Sequence, residues 1–233
     1  MGLLSRLFNK KKFVLLKDDP LVLSDGTILY QVMATMNFGS VKKGERGGRV
    51  ELEENLSQEG DCWIYPGAWV CGKNTRIFGN AQVDRVHICG KGHIEICGNA
   101  QVYGQMNAAM DQPISKIHAD RGQICIIRDS AFVFGRFDIY GSTTIGGFAK
   151  INAPWNEEAE TIIYASTVDG FSEINDRVEI SRSRLKGMVI VRGGHIINST
   201  VSGFVNLENQ SICDCSVSGF PTPIVQFDRP AGS

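Results

Sequence analysis

The chain has 233 residues, 42% of them hydrophobic, with 24 Lys and Arg against 25 Asp and Glu and a formal net charge of −1. That is enough chain for one substantial domain, and too balanced a charge for a binder of nucleic-acid polymer that relies on bulk attraction. No apolar run reaches the about 18 residues a membrane span needs, and a signal-peptide core with its cleavage site is missing, so the expected location is the cytoplasm.

Taken from the start, Met1-Gly-Leu-Leu-Ser-Arg-Leu-Phe-Asn-Lys-Lys-Lys12 puts Leu3, Leu4, Leu7 and Phe8 on one helical face beside Arg6 and three lysines. Residues 1 to 12 therefore read either as a short anchor touching the inner membrane surface or as a plain basic tail. Residues 13 to 55 are expected to form an N-terminal β cap. Leu21–Leu23 and Thr27–Val32 flank Ser24-Asp25-Gly26, an Asp-Gly hairpin signal. Gly44-Glu-Arg-Gly-Gly48 lacks the Lys-Ser/Thr ending of a phosphate loop and reads as a turn.

From residue 56 to 220 a different order sets in. Apolar, mostly β-branched residues recur every six positions at Val133, Ile139, Ile145 and Ile151, and again at Ile162, Val168, Ile174 and Ile180. Two positions earlier the residue is usually small, as in Ala81 before Val83, Thr143 before Ile145 and Ser166 before Val168. Such pairs point to the same side of a strand, and a large residue alternating with a small one suits the inside of a narrow triangular tube. A second motif, Ser-x-Val/Leu-x-Gly-Phe/Met, starts at 166, 183 and 199 and returns as Cys-Ser-Val-Ser-Gly-Phe at 215. These starts are spaced more tightly than three hexads, so some faces must be five residues long. Assigning faces in order gives about eight coils. The first is Ile64, Val70 and Ile77, the second Val83, Ile88 and Ile94, the third Val102, Ile117 and Ile124, and the fifth Ile151, Ile162 and Val168. Pro221, Pro223 and Pro230 cannot continue a ladder, so residues 221 to 233 close the chain as a terminal cap or tail.

The Asn-Ala-x-Val hexads Asn80–Val83 and Asn99–Val102, preceded by Val41-Lys-Lys-Gly-Glu-Arg-Gly-Gly48 and Asn55-Leu-Ser-Gln-Glu-Gly-Asp-Cys-Trp-Ile64, resemble the YdcK-like hexapeptide-repeat proteins. The resemblance is strongest over residues 31 to 104. It implies an all-β fold, a single-stranded left-handed parallel β-helix of the trimeric acyltransferase superfamily with an N-terminal β-hairpin cap, and it implies a homotrimer. That family has members in bacterial and phage genomes that carry an acetyltransferase label without an assigned substrate.

Seven cysteines, an odd number without metal-ligand spacing, read as free thiols, and no metal is expected. Cys71 and Cys89, 18 apart, should stack on adjacent coils about 4.8 Å apart. A redox or metal ladder is one reading of that stack, and ordinary stacking of equivalent residues is the other. Phe171, Met188, Phe204 and Phe220 recur likewise, as corner packing or as an apolar ladder at a subunit interface.

The resemblance also implies a histidine base where subunits meet. His87, His93 and His195 each precede an inward position and so face solvent. His118 lies in the interval 104 to 122, which breaks the period, and is followed by Asp120 and Arg121, making His118 and Asp120 the candidate catalytic pair. A second interval, 152 to 160, leaves after Ile151 as the first leaves after Val102, so both should exit one corner, two coils apart. Asn107, Arg121, Trp155 and Glu157 are then candidate ligand-binding residues at that corner, unless the two loops are independent. Two functions follow. The favoured one is a non-catalytic or weakly catalytic oligomer that binds a small anionic ligand of nucleotide type, sequestering a signal molecule, or a protein partner. The alternative is an acetyltransferase with His118 as base and acetyl-CoA as cofactor.

Overall fold

In a narrow tube of parallel strands each inward side chain must sit on its equivalent one coil along, and the computed structural model, which describes residues 11–107, 109–154 and 160–219, is built from three such columns. Face 1 stacks Val50, Val70, Ile88, Ile117, Ile139, Ile163, Ile180, Ile196 and Ile212 in parallel register. Face 2 stacks Leu56, Ile77, Ile96, Ile127, Ile145, Val168, Leu185, Val201 and Val217. Face 3 stacks Ile64, Val83, Val102, Val133, Ile151, Ile174, Val191 and Leu207. All these rungs are buried and belong to one continuous apolar core. The fold is thus an all-β parallel solenoid. Among the described residues the only helical element is a short 3-10 turn at Glu53–Asn55, and no helix is long and apolar enough to cross a membrane.

The solenoid has about nine turns rather than eight, because Val50 and Leu56 already serve as rungs. β1 (Phe13–Val22) and β2 (Ile28–Ala34) pair antiparallel, and β2 pairs antiparallel with β3 (Arg46–Val50). β3 then pairs parallel with Trp69 and Val70, so the hairpin runs directly into the first coil. Phe13, Val32 and Ala34 of the hairpin are buried in the same core as the rungs. Its turn forms where the sequence places it: Thr27 N–H donates to Asp25 Oδ1 at 2.9 Å and Gly26 takes φ +86°. The proposed membrane-touching tail, residues 1 to 10 of it, and residues 220 to 233 lie outside the described residues.

Three rungs differ from the simple count. Ile96, not Ile94, stacks between Ile77 and Ile127; Ile127, not the half-exposed Ile124, continues face 2; and Ile163, not Ile162, carries face 1. The reason is the pleat: a strand holds two inward positions two residues apart, and Ile94 and Ile96 are both buried. Neighbouring isoleucines, as in Ile162-Ile163, give no phase at all.

The five-residue steps from face 1 to face 2 late in the solenoid share one backbone feature. Ala165, Arg182, Asn198 and Asp214 each adopt φ between 47° and 52° two residues after a face-1 rung. A left-handed residue turns the chain at the corner, at about 1–2 kcal/mol where the residue is not Gly, and the six-residue steps that leave Ile77, Ile96, Ile127 and Ile145 turn in the same way at Gly79, Gly98, Asp129 and Gly147. The Ser-x-Val-x-Gly motif does the rest. Gly187 takes φ +106°, which other residues rarely adopt, and an added Cβ would make a tight 3.2 Å contact with the Gly203 nitrogen on the next coil. Inside the tube the serines form a polar thread. Ser183 Oγ donates to the Ser181 carbonyl at 2.8 Å and accepts from Ser199 N–H at 3.0 Å, and Ser183 N–H donates in turn to Ser166 Oγ at 3.1 Å. These hydroxyls supply partners for buried amides at a corner where the ladder cannot.

Candidate functional site

Strand alternation turns the neighbours of every rung outward, and on face 1 those neighbours carry most of the chemistry. Before the rungs come Trp69, His87, Lys116, Asp138, Ile162, Glu179 and His195, in register along the solenoid. After them come Cys71, Cys89, His118, Tyr140 and Tyr164. Three of the four histidines therefore share this face, while His93 stands on face 2 beside Glu95.

His118 lies on the strand Ser115–Ala119, half exposed. Its Nδ1 is 3.4 Å from Asp138 Oδ1 on the next coil. Its ring stacks on Tyr140, with centroids 5.1 Å apart and planes 4° from parallel, and Tyr140 stacks in turn on Tyr164 at 4.7 Å. The Arg182 guanidinium lies 5.8 Å from the Tyr164 ring centroid. The Asp138 carboxylate raises the pKa of His118 above the ordinary histidine value, and this wins over partial burial and the nearby Lys116, which lower it. His87 shows the opposite: burial, helped by Lys116, lowers its pKa. Burial also raises the Glu160 carboxyl, with Asp138 adding to the shift.

The register brings this histidine a second carboxylate besides Asp120. Asp120 follows the strand, where its backbone N–H donates to Gln123 Oε1, and Asp138 is the carboxylate that faces the ring. Asp138 was missed because it is brought to His118 by the stacking of Ile117 on Ile139, across an interval whose length the six-residue count cannot phase. Alternation around Ile139 was the one signal available, since it already turns Asp138 and Tyr140 outward.

The first interval is also divided. Met106–Asn107 and Gln112–Pro113 form a small antiparallel hairpin at the corner between faces 3 and 1. The second interval leaves the same corner after Ile151, two coils along through Val133. Arg121, however, sits in the turn between faces 1 and 2, so the structure does not bring it to Asn107. Trp155 and Glu157 lie outside the described residues. The hairpin bearing Asn107 borders a groove of about 510 Å³ with Arg49, Trp69, Arg85, Met106 and Gln112 among its lining residues. A smaller groove of about 320 Å³ runs along face 1, lined by Glu160, Arg177, Glu179 and His195. His195 Nδ1 lies 3.2 Å from Glu179 Oε2 there.

Cys71 and Cys89 are not free thiols: they are joined in a disulfide, their Cα atoms 4.7 Å apart on adjacent coils. The in-register stacking places them within ordinary disulfide reach. His87 Nε2 lies 3.8 Å from Cys71 Sγ, and the His87 ring meets Trp69 edge-on. Cys62, Cys97, Cys125, Cys213 and Cys215 remain unpaired.

Fold and surface together define a parallel β-solenoid of the hexapeptide-repeat kind that presents a histidine–carboxylate pair and an aromatic column on one flat face. In sequence the chain is 40% identical over 67 residues to the uncharacterized acetyltransferase YdcK of Escherichia coli (strain K12), a stretch making up 24% of this chain and 21% of that protein. The match thus spans about a fifth of the length of that curated relative. No protein-family model matches the chain. The solenoid and this partial likeness fit a hexapeptide-repeat, acetyltransferase-like family.

Proposed function

We propose that the chain transfers an acyl group from an acyl-coenzyme A to a hydroxyl or amine, with His118 as general base on face 1. The observation that carries this reading is the His118–Asp138 pair: the Asp138 carboxylate on the neighbouring coil stands 3.4 Å from Nδ1, placed to orient the ring. Neutral His118 takes the proton of the acceptor as its oxygen or nitrogen attacks the thioester carbonyl. The tetrahedral adduct then collapses, the C–S bond breaks, and the proton passes from the imidazole to the departing thiolate. Asp138 orients the ring and stabilises the imidazolium while it exists. The column of Tyr140 and Tyr164, ending near Arg182, offers stacking surface for a planar or ring-bearing part of either substrate. A homotrimer would set such a flat face against a neighbouring subunit and so close the site from water.

The test measures free thiol released from acetyl-CoA against a panel of amine and hydroxyl acceptors. Turnover that falls about 100-fold or more in His118→Ala, and also falls in Asp138→Asn, is the expected result. Absence of thiol release with wild type across the panel would remove the reading. A second reading is binding without turnover, and the 510 Å³ groove beside the Asn107 hairpin, with Arg49 and Trp69 in its wall, favours it. In that case calorimetry should detect a small anion whose affinity depends on Arg49, while His118→Ala changes nothing.

A further inference from the structure

We infer that Cys71, His87 and Cys89 form a soft-metal site that is open as a dithiol and shut as a disulfide. One ligand atom from each residue lies within 4.8 Å of the other two, the only such group of three metal-ligating side chains found among the described residues. The solenoid makes this arrangement. Cys71 and Cys89 follow the stacked rungs Val70 and Ile88, so their Cα atoms are one strand spacing apart, and His87 precedes Ile88 on the same outer surface. Tetrahedral zinc with bonds of about 2.3 Å to sulfur and about 2.0 Å to nitrogen separates its sulfur and nitrogen ligands by about 3.6 Å and two sulfurs by about 3.8 Å. Cys71 Sγ and His87 Nε2 already stand 3.8 Å apart. Only the two sulfurs must move, from bonding distance to a separation that the 4.7 Å between their Cα atoms accommodates with a side-chain rotation.

The switch balances simply. A thiol or dithiol reductant delivers two electrons, the Cys71–Cys89 bond breaks, each sulfur gains a proton, and the reductant becomes the disulfide. A zinc-class divalent ion then displaces both thiol protons to solvent and binds two thiolates and one neutral imidazole, leaving a fourth position for water. Two thiolates with an imidazole select zinc or cobalt over magnesium or calcium, which prefer oxygen. His118 stands in register with Cys89 on the following coil, so the ion would sit next to the aromatic column, although the site does not depend on acyl transfer taking place.

Cobalt(II) is the probe, added without oxygen to the full chain carrying Cys97→Ser, Cys213→Ser and Cys215→Ser, so that no other exposed or half-exposed thiol competes. The reduced protein should bind one ion with thiolate-to-cobalt charge-transfer absorption and the intense visible bands of a four-coordinate site. The oxidised protein should show neither, and adding a disulfide oxidant to the loaded protein should release the ion to a chromophoric chelator. Cys71→Ser and Cys89→Ser should each abolish the charge-transfer intensity of the pair, and His87→Ala should weaken binding at least about tenfold. No such absorption in the reduced protein, or the same absorption in the oxidised protein, overturns the site without recourse to any variant. Unchanged affinity in His87→Ala overturns the three-ligand assignment.

Discussion

Replacing Ser183 by Ala tests the polar thread inside the tube. Ser183 is buried, and its hydroxyl gives a hydrogen bond to the Ser181 carbonyl at 2.8 Å and receives one from Ser199 N–H at 3.0 Å. Removing the oxygen leaves the Ser199 amide buried without a partner, which costs about 1–3 kcal/mol, more than the net value of the bond itself. With an unfolding entropy of about 2.1 cal/mol/K per residue, a chain of this length has roughly 0.5 kcal/mol/K in total, so the midpoint should fall by about 2 to 6 °C. Because coils in a solenoid support only their neighbours, the effect should be concentrated there. The Ser199 amide should exchange with solvent about 5- to 150-fold faster if it exchanges by local opening. Circular dichroism melts and amide exchange by NMR check both, with Ser218→Ala, on the exposed side of the last described strand, as the control that should stay within about 0.5 kcal/mol. A Ser183→Ala midpoint within about 1 °C of wild type would refute the account of the thread.

Val201→Asp puts a carboxylate into the fully buried face-2 column and should cost several kcal/mol, read as a urea midpoint shift; an unchanged midpoint would contradict the inward assignment. The His118 pKa is raised, so the charged His118–Asp138 pair supports the fold below the unfolded histidine value of about 6.5 and is lost as pH climbs through the raised value. Since the base must be neutral, kcat/KM should instead rise with pH through that raised value, and Asp138→Asn, by removing the raising charge, should move the midpoint down; a midpoint that stays put sinks the pairing. Phe148 and Phe171 stack at 5.0 Å while more than half exposed, and Met188 and Phe204 continue the column in register. If this ladder joins subunits in a trimer, Phe171→Ser with Phe204→Ser should convert trimer to monomer in sedimentation at tens of micromolar, and wild type sedimenting as a monomer would dispose of it.

Residues that repeat coil after coil were legible from the sequence. Val168, Leu185, Val201 and Val217 stack on one face because each contributes the same inward side chain at nearly the same interval, and a tube with room for one large residue per level admits no other phase. The five-residue steps could be counted for the same reason, and so could the expected nearness of Cys71 and Cys89. What the sequence could not supply was anything that depends on the register across an irregular interval. Between Ile88 and Ile117 the chain makes a hairpin and returns, and only the completed packing of Ile117 on Ile139 decides that His118 faces Asp138 and stacks on Tyr140 while Asp120 and Arg121 move to another corner. The same holds for Val50, a rung hidden in a segment that reads as cap because one strand of the hairpin carries no period. Local pattern determines which side of a strand a residue takes; which residue stands opposite it is set by the tertiary stacking of whole coils, since that alone fixes how many residues an insertion consumes.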